Sequence, residues 1–330
     1  MAQRNENTDV QQPQRDSISV CGVEYHFNAD TGVSNISFAV PAGSIFGLVG
    51  PSGSGKTTTV RLLAGVYKAD KGLLVVLGQA PHRFSTHTRE QIGYMQQQFV
   101  LYPNLTVQEN LSFVASLYGM SYFGRGKRMK EILSFVDLYA VRHRLARQLS
   151  GGMQRRLQLA CSLVHNPVLL FADEPTAGID PVLRGKFWEY FRTLRGEGRT
   201  LFITTQYISE VAYCDLVGVM REGKLIHVDS PEGLRRKALG GEIVRIIIDE
   251  EHISDGMYLL RRQQIVQRVR PALEEPGLLL VHVEDAGAAI PQLVGILSSH
   301  PAIEIRQIEE YQPPFDDIFI TLMERASQGK

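Results

Sequence analysis

Long hydrophobic runs are missing from this 330-residue chain. A membrane-crossing helix needs about 20 apolar residues, and the longest runs here, such as 73–77 and 168–172, are far shorter. If the protein works at a membrane, another chain must do the spanning. Cysteine is scarce: Cys21, Cys161 and Cys214 are scattered, odd in number and form no Cys-x-x-Cys. That excludes a disulfide framework and suits reduced thiols in a cytosolic protein. Neither sign of charge is in surplus, with 35 Lys+Arg against 35 Asp+Glu, so the electrostatic footprint of nucleic-acid binding is absent. The nine histidines show no metal-ligand spacing; the nearest pair, His82 and His87, lies in a polar segment. The basic run 125–130 has no interleaved aromatics and reads as a solvated helix start. No Ser/His/Asp set stands out as a nucleophile. Residues 1–16 are polar, rich in Gln and Asn, and without an apolar centre. They read as a disordered lead-in rather than a secretory signal.

What is present begins with short, continuous apolar runs at 44–49, 168–172, 201–205 and 216–220. They do not alternate, so they predict strands buried on both faces, as in a parallel sheet between helices. Helical patterns at 56–67, 184–195 and 206–214 separate them, which makes an α/β core. Residues 98–166 look all-helical, with periodic segments at 106–117, 128–135 and 153–163, and predict a helical insertion into that core. After Gly240-Gly241 the pattern changes. Strands are expected at 243–248, 278–283 and 303–308, and helices at 286–299 and 314–325. The expected division is therefore a tail at 1–16, a main domain at 17–238 and a small α+β domain at 239–330.

Three stretches carry chemistry. Gly50-Pro51-Ser52-Gly53-Ser54-Gly55-Lys56-Thr57-Thr58 fits the P-loop pattern Gly-x4-Gly-Lys-Thr, after a predicted strand and before a predicted helix. Its glycines let the backbone wrap phosphates with successive N–H groups. Lys56 is expected on the β- and γ-phosphates and the Thr57 hydroxyl on Mg²⁺. The run 168–172 ends in Asp173-Glu174. At a strand's C-terminal edge both carboxylates face the crevice where α/β proteins bind ligands. Asp173 would hold Mg²⁺ and Glu174 would polarise an attacking water as general base. Leu149-Ser150-Gly151-Gly152 precedes a helix-forming run, which puts a hydroxyl and free N–H groups at a positive helix end suited to an anion.

These stretches, in this order and spacing, resemble the nucleotide-binding subunits of ABC transporters over residues 18–235, about two-thirds of the chain. The resemblance implies a P-loop NTPase core with an inserted helical subdomain, and hydrolysis of ATP with Mg²⁺. It also implies that two subunits pack head to tail. Ser150, Gly151 and Gly152 match the signature motif, which caps the γ-phosphate held by the other subunit's P-loop. Met153 replaces the more usual Gln, as in exporter-type members. Gln97 looks like the Q-loop glutamine, which touches Mg²⁺ and relays to the membrane subunit; Gln96 replaces the Pro usual before it. Asp180, in Gly178-Ile179-Asp180-Pro181, looks like the aspartate that crosses the dimer interface. Phe27 lies at the spacing of the aromatic that stacks on adenine, with Tyr25 as second choice. Gln206 stands where the family usually has its switch histidine. Glutamine can donate a hydrogen bond but cannot become cationic. It implies either a slowed site or an accepted variant.

Residues 240–330, ending in Pro314-Phe315-Asp316-Asp317-Ile318-Phe319, resemble the accessory domain of drug-, lipid- and polysaccharide-export ATPases. The expected role is therefore the ATPase of an exporter at the cytoplasmic face of the cell membrane. It would be held there by a separate permease subunit, docked near the apolar cluster Phe99, Leu101, Tyr102 and Leu105, and paired with a second ATP-binding subunit, identical or not. A low-turnover regulatory subunit beside a more active ATPase is the alternative that Gln206 motivates. A soluble ABC ATPase acting on DNA or ribosomes is disfavoured. The interval between P-loop and acidic pair is too short for a coiled-coil insertion, there is one such domain, and the charge is neutral.

Overall fold

The computed structural model of the protein describes residues 16–28, 31–98, 101–272 and 275–328. Its backbone forms two compact units, Met1–Val228 and Asp229–Lys330. The division falls earlier than the expected 238/239 because the helix Pro231–Leu239 packs with the chain's last helix and joins the second unit. The expected tail at 1–16 lies outside the described residues except for Asp16, which already pairs with Pro41 in the first strand.

In the first unit the four predicted strands and two more, Ile92–Met95 and Lys224–Asp229, build a mostly parallel sheet. The elements in chain order are β1 (Asp16–His26), β2 (Gly32–Pro41), β3 (Ile45–Val49), α1 (Lys56–Leu63), β4 (Lys71–Val76), α2 (Thr86–Glu90), β5 (Ile92–Met95), α3 (Val107–Leu117), α4 (Arg125–Phe135), α5 (Gly151–Leu163), β6 (Leu169–Asp173), α6 (Pro181–Gly196), β7 (Thr200–Thr205), β8 (Leu216–Arg221) and β9 (Lys224–Asp229). Six strands pair in the order β5-β6-β7-β3-β8-β9, parallel from β5 through β8. Every residue of β3, β6 and β7 is buried, as continuous apolar runs require. The stacked rings of Phe38, Phe46 and Phe202 lie in the core beside the sheet.

A second sheet, β2-β1-β4, is antiparallel. On β2, Ile36, Phe38 and Val40 point inward and alternate with exposed Ser37 and Ala39, so a continuous apolar run marks only β4 of this sheet, at 73–77. The insertion between β5 and β6 carries α3, α4 and α5, as expected. Thr106 and Glu109 cap α3 reciprocally through side chain and backbone, which fixes where that helix starts. One helical reading is corrected: 206–214 is not an α-helix. Tyr207 is extended and only Ile208–Tyr213 coils, as a 3-10 turn.

The second unit holds α7 (Pro231–Leu239), β10 (Glu242–Ile248), α8 (Ile253–Arg261), β11 (Val266–Pro271), β12 (Leu278–Val283), α9 (Ala286–Ser298), β13 (Ile305–Tyr311) and α10 (Phe315–Gln328). Its antiparallel sheet runs β11-β12-β10-β13. Val244, Ile246, Val281, Leu293 and Leu297 form its core. Strand β11 is absent from the apolar pattern because it is an edge strand with only Val269 buried.

Candidate active site

Strand β3 delivers the P-loop at its C-terminal edge, and α1 leaves it at Lys56. The bend between them turns on Gly55, whose φ of +105° is left-handed; a side chain there would also press on Met220 and Val33. Lys56 is folded into its own loop. Its Nζ donates to the carbonyls of Gly50 at 2.8 Å and Pro51 at 3.1 Å and pairs with Glu174 Oε1 at 3.2 Å. The two charged side chains are only 3% and 8% exposed. At such burial neither is removed cheaply without the other. The Ser54 hydroxyl is buried and finds no hydrogen-bond partner among the described residues. A crevice of about 340 Å³ opens over this loop, lined by Phe27, Thr31, Gly32, Ser52, Gly53, Gly55, Lys56, Thr57, Thr58, Gln97 and Glu174.

The acidic pair arrives on β6. Thr204, on the neighbouring β7, holds the Asp173 carboxylate and the Glu174 backbone. Its hydroxyl donates to Asp173 Oδ1 at 2.6 Å and accepts the Glu174 N–H at 2.9 Å. The Thr57 hydroxyl donates to the same Asp173 oxygen at 3.3 Å. Burial pushes the Asp173 carboxyl above the usual carboxylate range, and the Thr204 and Thr57 hydrogen bonds oppose that rise. Glu174 has φ +46°, a conformation costing on the order of 1–3 kcal/mol in a non-glycine residue. It is held by its two bonds to Thr204. Gln97 Nε2 donates to Glu174 Oε2 at 3.0 Å, so each Glu174 oxygen has its own partner. The hydroxyl of Thr57 and the carboxylate of Asp173 are hard oxygen donors brought together beside the crevice. Gln97 lines the same crevice, and this oxygen-donor set fits a hard divalent cation such as Mg²⁺.

Gln206 meets the P-loop: the Ser52 hydroxyl donates to its Oε1 at 3.2 Å. Phe27 is 54% exposed and stands edge-on to Tyr25 and Tyr67, at centroid distances of 5.0 and 5.6 Å. Tyr25, the second choice, has its face stacked on Tyr67, which leaves Phe27 as the ring lining the crevice. The signature stretch is elsewhere. Neither Ser150, Gly151, Gly152 nor Asp180 is among the residues lining the crevice. Ser150 caps α5, accepting the Met153 N–H at 3.3 Å; Asp180 caps α6, accepting the Leu183 N–H at 2.9 Å. Both are exposed. A Cβ at Gly152 would lie 2.5 Å from Leu183 Cδ2, so a side chain there would displace the Leu183 side chain of α6. Of the expected docking cluster, Phe99 lies outside the described residues. Tyr102 is exposed and packs edge-on against Phe113 at 4.7 Å.

A family model described as "ABC transporter" matches residues 33–177. The daunorubicin/doxorubicin resistance ATP-binding protein DrrA of Streptomyces peucetius is 32% identical over 313 residues, which cover 94% of this chain and 93% of that protein. The chain belongs to the ATP-binding subunits of ABC transporters. The Nod factor export ATP-binding protein I of Burkholderia lata is 37% identical over 230 residues, 69% of this subunit and 76% of that one. The probable multidrug ABC transporter ATP-binding protein YbhF of Escherichia coli K12 is 37% identical over 216 residues, 66% of this chain; the match spans only 37% of YbhF. Among solved structures, cbiO1 from Clostridium perfringens, part of the transporter complex cbiONQ, superposes with a TM-score of 0.61 at 27% identity, over 66% of this chain and 90% of that one. The subunit is thus a nucleotide-binding ABC ATPase.

The ABC ATPase also contains polar residues that the sequence motifs did not single out. Arg155, on the signature helix α5, is buried. Its guanidinium donates to the carbonyls of Gln97 at 2.7 Å, Glu174 at 2.5 Å and Pro175 at 3.0 Å. Gln158, one turn on, accepts from Arg155 at 2.9 Å and donates to the carbonyls of Gln96 at 2.7 Å and Gln98 at 2.8 Å. The signature helix therefore grips the backbone of the Gln97 loop and the turn after Glu174 at once. The readable signal was an Arg and a Gln at i, i+3 among the apolar Leu157, Leu159 and Ala160, a face that must be buried and so must be satisfied. Thr204 gave no comparable signal, since its hydroxyl matters only because β7 lies beside β6.

Proposed function

We propose that the subunit hydrolyses ATP to power export through a separate permease. It would sit at the cytoplasmic face of the membrane and act head to tail with a second ATP-binding subunit. The observation that carries this reading is the meeting of Lys56, Thr57, Glu174 and Gln97 in one crevice, with Asp173 buried against Thr57 beside it, while Ser150 lies outside. The names of the relatives, exporters of drugs and Nod factors among them, support the direction of transport. Among the described residues no helix is long and apolar enough to cross a membrane, in keeping with a membrane partner that does the spanning.

In this reading the P-loop amides and Lys56 hold the phosphates, and Phe27 stacks on the base. The phosphate oxygens compete with Glu174 for Lys56. When Lys56 turns to them, Glu174 keeps its strained backbone, held by Thr204, and is released to accept a proton from the attacking water. Mg²⁺, when bound, would draw charge from the β- and γ-phosphates. Thr57, Asp173 and Gln97 are the residues that would hold it. Gln206 reaches the phosphate end through Ser52 and orients water as a neutral donor. Gln97 bridges Glu174 and the segment that leads to Tyr102, a route for signalling to the permease. Steady-state hydrolysis by the purified subunit, alone or with its permease, tests the reading; negligible turnover in both would remove it.

A second reading, a regulatory subunit of low turnover, is favoured by Gln206, whose amide cannot take the cationic form of a histidine. Gln206→His separates the two. A sharp rise in turnover supports the regulatory reading, and an unchanged rate means that glutamine is already competent.

A further inference from the structure

One exposed patch plays no part in the nucleotide site. Between α3 and α4 the chain runs Leu117-Tyr118-Gly119-Met120-Ser121-Tyr122-Phe123-Gly124. Leu117 is 69% exposed, Tyr122 75% and Phe123 90%. The last two rings lie edge to face with each other at 6.2 Å, so Phe123 is held out at a tip with almost none of its surface covered. Basic residues follow at once: Arg125, Lys127, Arg128 and Lys130. No Asp or Glu occurs anywhere in 110–130. The basic side chains divide in role. Arg125 braces the loop, its guanidinium 4.6 Å from the Tyr122 ring centroid and bonded to Ser116 Oγ at 2.6 Å. Arg128 turns inward to the Leu163 carbonyl at 3.0 Å and the Asn166 side chain. Lys127 and Lys130 are exposed. The sequence reading of 125–130 as a merely solvated helix start missed this neighbourhood, because the aromatics precede the basic run rather than interleave with it.

We infer that the loop 117–124, with Lys127 and Lys130, is a docking surface for the anionic face of a lipid bilayer. Aromatic rings settle at the headgroup level of a membrane, where an apolar ring is covered without full desolvation of its surroundings. Lysines at its rim meet lipid phosphates, each worth about a fivefold gain in affinity near an anionic surface. No acid lies between 110 and 130 to oppose that approach, and the adjoining Glu131 pairs with Arg128 at 3.7 Å. The charge complementarity, joined to a tip with no cover of its own, selects a lipid surface over a protein partner as occupant. The inference rests on the proposed membrane-peripheral role and deepens it: the subunit touches lipid itself besides being held by a permease.

The test is co-sedimentation of the full chain with vesicles of phosphatidylcholine alone and of phosphatidylcholine mixed with phosphatidylglycerol. Binding is expected to the mixed vesicles and to fall with salt. Lys127→Gln/Lys130→Gln should weaken it about 25-fold, and Tyr122→Ser/Phe123→Ser should weaken it about tenfold or more, while ATP hydrolysis stays unchanged in both. In Phe123→Trp, emission should shift to the blue on the mixed vesicles, with the buried Trp188 as a constant background. Absence of binding, binding indifferent to lipid charge, or equal binding by the variants would overturn the inference. So would variants that keep vesicle binding and instead lose co-purification with a permease, since the patch would then belong to a protein. Failure of the transport-ATPase reading would appear separately, as absent hydrolysis by the unsubstituted chain.

Discussion

Two helix starts in this subunit carry similar chemistry in opposite settings. At the start of α1, backbone amides, Lys56 and Thr57 face a crevice that also receives Glu174 and Gln97, with Asp173 buried against Thr57. At the start of α5, Ser150 and Gly151 sit exposed with Gly152 half-buried beside them, and the hydroxyl does no more than cap its own helix. Both are positive helix ends suited to an anion. One is furnished by its own chain; the other has its donors and no complement. The contrast is what a shared site divided between two chains requires. Within the chain the two starts are still connected, because Arg155 and Gln158 on α5 hold the backbone around Gln97 and Glu174. A shift of the signature helix would therefore reach the backbone of Glu174, the proposed base.

The comparison can be broken at several points. The largest effect is expected from Glu174→Gln, which removes the proposed base and leaves the phosphate cradle intact. Turnover should fall by about 10²–10⁴ while ATP still binds, and a radiometric hydrolysis assay beside a binding titration checks both. Next is Arg155→Gln, which strands the buried carbonyls of Gln97, Glu174 and Pro175. A loss of about 3 kcal/mol of stability is expected, read from the urea midpoint, together with lower turnover. Arg155→Lys should recover little of it, because an ammonium cannot reproduce the fork. Unchanged stability in both variants would show that the helix does not grip the site. The smallest effect belongs to Phe27→Ala. Loss of a stacked ring should weaken nucleotide affinity by about tenfold, with the rate at saturating ATP nearly unchanged.

Much of the nucleotide crevice was legible in sequence because a P-loop and a strand-ending acidic pair are local: each stretch specifies its own backbone. The parallel sheet was legible for the same reason, its strands being continuous apolar runs. What escaped was set by neighbours distant in sequence. Thr204 becomes important only when β7 lies beside β6, and the β1-β2-β4 sheet only when alternating strands find one another. The extended Tyr207 breaks what looked helical, its N–H donating to the Thr205 hydroxyl at 3.0 Å at the end of β7. Gly152 looked like part of an anion site, yet its closest contact is Leu183; the motif serves packing as well. The three cysteines carry no disulfide, all being free thiols. Burial pushes the Cys161 thiol up to about 12 and raises that of Cys214 as well, so both are poor nucleophiles.

Whether Ser150 completes another chain's site, as proposed, is read most directly by cysteine cross-linking. A chain carrying Ser52→Cys and Ser150→Cys, with the exposed Cys21 changed to Ser and Glu174→Gln to retain ATP, is oxidised with and without ATP and run on a non-reducing gel. A covalent dimer that forms only with ATP is expected. A disulfide closed within one chain, or none under either condition, would contradict the proposal.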